Sequence, residues 1–232
     1  MICAAYRSPR CRTGWSLLLA DVLRTWETGL REKRVALEAS DVQAGVVHSE
    51  RPPDDAYGRV TNPDRFEPVV DAARRLVEQL SSDYQVTVDS RMGGFSIGSH
   101  DWGETDSETI DVTPGAGAPI SIVFTSFPGV LIRFGEWEAQ AFPPCGCDAC
   151  DEDPDWVVER MRELVGSVVR GRFEEQLTRR SLRASFRGPW GDSTSEKRLD
   201  RSEGESYGQP GVRRWAEWPR RPSGKELGRE HA

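Results

Sequence analysis

The sequence predicts an α+β fold: a roughly four-stranded antiparallel sheet packed by two amphipathic helices, with an N-terminal extension and an extended C-terminal arm. Three observations carry this. Apolar residues recur at helical spacing in two separate stretches, from Val69 to Leu80 and from Val157 to Val168. Between them the period falls to two, as in half-buried strands. The order helix, strands, helix then describes a sheet covered on one face.

Residues 1–51 carry Leu19, Leu23, Trp26 and Leu30 on one helical face. The segment reads either as a docking helix or as an extension upstream of the true start of translation, with Val46 or Val47 as a non-Met start. The core domain spans 52–180 and opens at Arg51-Pro52-Pro53. Pro68 suits the first turn of a helix, and Val69, Val70, Ala73, Leu76, Val77 and Leu80 follow on one face to about Ser81. From Tyr84, Val86 and Val88 alternate with Thr87 and Asp89, which predicts a strand. Gly93, Gly94 and Gly98 interrupt the next piece, and Asp101, Glu104, Asp106 and Glu108 read as an acidic loop. Ile120, Ile122 and Phe124 pair with Val130, Ile132 and Phe134 across a Pro128-Gly129 turn. Beyond Phe134 the apolar positions change parity to Trp137, Ala139 and Ala141, which predicts a bulge at Gly135. Asp153-Pro154 opens the second helix. Residues 181–232 show little period and read as an extended or partly disordered tail, its tryptophans Trp190, Trp215 and Trp218 laying part of it on the domain.

Charge narrows the functional classes. Residues 52–180 carry 12 basic and 24 acidic side chains, while 181–232 carry 11 and 8. An acidic core suits cations or basic partners better than a nucleic-acid backbone. The most apolar early run, Trp15 to Leu23, contains Asp21 and is far short of the roughly 18 residues that a membrane span needs. Neither signal peptide nor anchor is expected, which points to the reducing cytoplasm.

The chemistry is concentrated in Cys145, Cys147 and Cys150, three of five cysteines within six residues. Thiols so close share an environment, and three readings stay open. Three thiolates can supply a structural zinc site, with His100, Asp148, another acid, a water, or Cys3 or Cys11 as fourth ligand. Cys147-Asp148-Ala149-Cys150 can be a redox pair, although the acids around it disfavour a thiolate. The cysteines can also be small packing residues. Asp151, Glu152, Asp153 and Asp155 read best as capping and dipole residues of the following helix. His48 and His100 have no recognisable catalytic partner spacing, and no P-loop, nucleophile elbow or dinucleotide fingerprint occurs. The segment Arg213 to Arg221 combines cations with indoles and can bind nucleic acid or phosphate, but the acidic core is its nearer partner.

Tyr57-Gly58-Arg59-Val60-Thr61-Asn62-Pro63 and Ala141-Phe142-Pro143 with Cys145-Gly146-Cys147-Asp148-Ala149-Cys150-Asp151 resemble an uncharacterised family of high-GC Gram-positive bacterial proteins, known as a domain of unknown function. The resemblance runs from about residue 52 to Trp218-Pro219-Arg220-Arg221. It implies a bacterial cytoplasmic protein and assigns no activity or cofactor. The favoured expectation is a soluble, non-enzymatic binding or adaptor protein with a protein partner, its cysteine loop holding zinc. The alternatives are an enzyme using that loop as a zinc or thiol redox site, and nucleic-acid binding through the tail.

Overall fold

The structure, a computed structural model, describes residues 52–189 and 191–222. The helical pattern of residues 19–30, Cys3, Cys11, His48 and Trp190 lie outside them. Helix α1, Glu67–Asp83, comes after a short 3-10 turn at Pro63–Phe66 and starts with Pro68 in its first turn. It buries Val69, Ala72, Ala73, Val77 and Leu80, the face read from the sequence. Helix α2, Pro154–Val169, has Asp153 as its N-cap, the side chain accepting the Asp155 N–H at 3.0 Å.

Five strands form the main antiparallel sheet: β1 (Val86–Met92), β4 (Glu108–Pro114), β5 (Ile120–Phe124), β6 (Val130–Phe134) and β7 (Glu138–Phe142), in the order β1-β4-β5-β6-β7. Strands β2 (Phe95–Ile97) and β3 (His100–Trp102) make a separate hairpin. The expected pairing of β5 with β6 holds, with Ile122 opposite Ile132 and Phe124 opposite Val130. Strand β4 is the addition: Glu108, read as the end of an acidic loop, opens it, and its Ile110 and Val112 sit among acids and threonines that hide the alternation. The helices cover one face of the sheet. The other face is covered too, contrary to expectation: Val123 joins Phe95, Ile97, Trp137, Leu177, Leu182, Leu199 and Tyr207 in a second apolar cluster. Ser121, between Ile120 and Ile122 on the strand, is 1% exposed and accepts from the Arg133 guanidinium at 2.9 Å.

Gly135 is not a bulge. The chain reverses there, Gly135-Glu136-Trp137 forming the turn between Phe134 and its partner Glu138. A three-residue turn leaves parity unchanged, with Phe134, Glu138 and Phe142 on one face, while Trp137 and Ala139 pack on the second cluster; the change in apolar parity marks a change of face rather than an inserted residue. Gly135 takes φ 65°, which favours glycine.

The region from 181 also departs from the reading. Strands β8 (Phe173–Leu177), β9 (Ser181–Gly188), β10 (Gly191–Arg198) and β11 (Gly211–Arg214) build a second sheet in the order β10-β9-β8-β11, with helix α3 at Arg201–Ser206. Leu182, Ala184 and Phe186 alternate inward along β9, so the described residues of this region up to Arg214 are folded onto the domain rather than an extended tail. Among the described residues, 215–222 form the extended arm. It passes between two glycines: a Cβ on Gly117 would lie 2.6 Å from the Ala216 oxygen, and one on Gly171 would lie 2.5 Å from the Glu217 nitrogen. Trp218, 1% exposed, donates through its indole to the Ala118 carbonyl at 3.0 Å and meets Tyr84 edge-on at 5.9 Å. Arg213 pairs with Glu136 and lies over Trp137, and Arg214 pairs with Glu174. The cations and indoles read as a phosphate-binding set thus have partners within the domain.

Two buried glutamates join the sheets. Glu175 of β8 accepts the backbone N–H of Glu136 (3.0 Å), Trp137 (2.7 Å) and Glu138 (2.9 Å) and the indole N–H of Trp215 (3.1 Å). Three consecutive amides aimed at one carboxylate make an anion nest. Burial pushes the Glu175 pKa up, and those donors counter it. Glu138 accepts from Ser195 at 3.0 Å and Gln140 at 2.8 Å, and burial raises its pKa from 4.5 to about 7.

This predicts an unusual pH profile. Unfolded, Glu138 loses its proton near the ordinary glutamate value; folded, it keeps the proton to about pH 7. The folded state binds more protons across that window, so its contribution to stability is full below pH 4.5 and falls as pH rises through about 7. The loss is about 3 kcal/mol. Urea unfolding at pH 5 and pH 7.5 checks it, and Glu138→Gln flattens most of the slope. Equal slopes in both proteins would contradict the assignment.

Candidate metal centre

The cysteine loop leaves β7 at Phe142 and ends at the Asp153 cap. It brings the Cys145, Cys147 and Cys150 sulfurs within 4.8 Å of one another, the one such group of metal-binding side chains among the described residues. Cys147 is buried, whereas Cys145 and Cys150 are exposed. The closest pair, Cys145 and Cys147, has its Sγ atoms 3.1 Å apart. Gly146 allows this approach with φ 81°, and a Cβ there would lie 2.8 Å from the Phe127 ring.

The electrostatics separate the three sulfurs. Burial pushes the Cys147 thiol up, but donation from the Cys145 thiol and the Cys150 and Gly58 amides brings it down to about 7. Burial raises Cys145, and burial together with the neighbouring sulfurs raises Cys150 well above an ordinary thiol. Amides aimed at sulfur are what a metal-bound thiolate uses to spread its charge. The donor set therefore fits a soft or borderline cation such as zinc.

The surrounding acids hold the loop in place. Asp148 accepts from the Thr61 hydroxyl, from the Thr61 N–H at 2.9 Å and from Arg59 Nε at 2.9 Å. These bonds hold its carboxyl down at about 2. Backbone bonds from Asp148 to Arg59 (2.8 Å) and from Ala149 to Ala56 (3.2 Å) tie the loop to the segment before α1. Glu152 accepts the amides of Cys145 at 3.2 Å and Gly146 at 3.3 Å, and Asp151 pairs with Arg65 at 3.1 Å. Among the fourth ligands considered, Cys3 and Cys11 lie outside the described residues, and Asp148 is engaged by Thr61 and Arg59. His100 lies on β3 with its Nε2 3.0 Å from Lys197 Nζ and 3.4 Å from Glu203, outside the cysteine group.

Of two surface clefts among the described residues, one lies away from the loop and the other abuts its start. One of about 620 Å³ is lined by Gln85, Thr87, Thr113 and Arg221 among others, and one of about 380 Å³ includes Glu104, Phe127, Phe142 and Pro143. The cysteines line neither.

A family model described as a family of unknown function, DUF6226, matches residues 19–222 and so takes in the loop, both sheets and the arm. The chain belongs to the DUF6226 family. The DUF6226 match starts at residue 19, upstream of the expected onset near 52, so residues 19–51 fall within the family's span. Its end at 222 agrees with the expected Trp218-Pro219-Arg220-Arg221 boundary. No curated protein and no solved structure matches this DUF6226 chain.

Proposed function

We propose that this DUF6226 protein is a non-enzymatic binding or adaptor protein of the bacterial cytoplasm whose cysteine loop holds one structural zinc ion through Cys145, Cys147 and Cys150. The observation that carries the metal reading is the convergence of three sulfurs within 4.8 Å in a loop whose acids are occupied in holding it. Zinc bound there stiffens the link between the segment before α1 and the start of α2. The cytoplasmic setting rests on the motif resemblance and on Cys145, Cys147 and Cys150, the cysteines among the described residues, being free thiols. No helix among the described residues is long and apolar enough to cross a membrane.

Elemental analysis of protein purified without a metal-affinity tag tests this, with thiols counted before and after chelation. About one zinc per chain, with loop thiols freed and the melting temperature lowered on chelation, is the expected result. No metal with freely reactive thiols would overturn it.

A zinc enzyme is the second reading, favoured by one observation: the described residues supply three ligands, and a catalytic site keeps its fourth position open. Cobalt(II) substitution separates the two. Visible bands that shift on adding azide mark an open position, whereas bands that do not shift mark a closed structural site.

A further inference from the structure

We infer that the cysteine loop is a peroxide-driven thiol switch in which Cys145 and Cys147 close a disulfide and Cys150 is left as a lone thiol. The expulsion of metal that this entails rests on the zinc reading above.

Spacing and exposure of the sulfurs carry the inference. Thiolates on a tetrahedral zinc ion, with bonds of about 2.3 Å, lie roughly 3.8 Å from one another. Cys145 and Cys147 stand at 3.1 Å, inside that distance and on the way to the sulfur–sulfur bond. Gly146, the single residue between them, has the positive φ that lets the two side chains converge, and the Phe127 ring packed against it leaves no room for a Cβ. Cys145 is exposed to an oxidant from solvent, and the buried Cys147 stands next to it in the place of a resolving cysteine.

The chemistry balances with hydrogen peroxide as oxidant. Cys145 passes its S–H proton to the Cys147 sulfur that accepts it, and the resulting Cys145 thiolate attacks one peroxide oxygen; the O–O bond breaks, and Cys145 becomes a sulfenic acid as hydroxide leaves and takes up a solvent proton to form water. Cys147 then attacks the Cys145 sulfur. The S–O bond breaks, hydroxide leaves with the proton that Cys147 gives up, forming the second water, and the S–S bond forms. Two thiols have lost two protons and two electrons, and one peroxide has become two waters. Metal is released because a single thiol, Cys150, cannot hold zinc where three thiolates did.

The test uses the full-length protein as purified, treated with one equivalent of hydrogen peroxide. Zinc release is followed with a chromogenic chelator, and peptides are mapped by mass spectrometry. The expected result is a Cys145–Cys147 disulfide, about 2 Da lighter than the dithiol, with zinc released in step and recovered after reduction and zinc addition. Cys150→Ser still forms the disulfide, and Cys145→Ala does not. Zinc that stays bound with no such disulfide, or a bond from Cys147 to Cys150 instead, would overturn the switch and leave the zinc reading standing. A Cys145–Cys147 disulfide in protein that never held metal would uphold the switch and overturn the zinc reading.

Discussion

Glu175→Ala lowers the stability of the domain by roughly 3–5 kcal/mol, read from the urea midpoint at pH 6. The cost does not come from losing a charge. Its partners are the backbone amides of Glu136, Trp137 and Glu138 and the Trp215 indole; the bonds from Trp137 and Glu138 are buried and those from Glu136 and Trp215 are half-buried. The two buried amides lose their acceptor where water does not reach, which carries most of the cost. Glu175→Gln keeps one acceptor oxygen but turns an NH2 group toward the other donors, so it falls between alanine and the native protein. An alanine variant within about 1 kcal/mol of wild type would show that solvent reaches the turn.

Ending the chain after Arg214 abolishes cooperative unfolding. The truncation removes Trp215, a donor to Glu175, and Trp218, which fills the core between Tyr84 and the Ala118 carbonyl. Losing one buried tryptophan costs about 3–5 kcal/mol, a large share of the 5–15 kcal/mol that holds a typical domain together. It also strips the Gln85 amide of the Pro219 carbonyl and the Asp83 carbonyl of the Arg221 amide. Thermal unfolding followed by near-ultraviolet circular dichroism decides it. A sharp transition within about 5 °C of the full chain would mean that the arm is only surface decoration.

Both helices were legible because a 3.6-residue period, an early proline and, for α2, the Asp153 cap agreed. Strands β5 and β6 were legible because alternating Ile, Val and Phe flank a turn signal. The missed strands lack that contrast. In β9 the inward Leu182, Ala184 and Phe186 are separated by arginine and serine in a region rich in both, and β10 is exposed or half-exposed throughout. The site divides the same way. Three cysteines in six residues announce themselves, but the clamp on Asp148 comes from Arg59 and Thr61, 89 and 87 positions away, and no local pattern encodes such a meeting. Glu175 read as one acid among many, because its burial depends on a turn in another part of the chain.

The slot between Gly117 and Gly171 also governs the order of events during folding. The arm that fills it includes Trp218, the last buried core residue among those described, whose indole binds a carbonyl 100 positions earlier. Helix α1 and the main sheet therefore emerge from the ribosome well before the side chain that seals them, and until then Tyr84 lacks its aromatic neighbour. A closing contact of such long range slows the final step and leaves apolar surface open while translation finishes. The nascent chain, rather than the finished protein, is where this domain has most need of a chaperone.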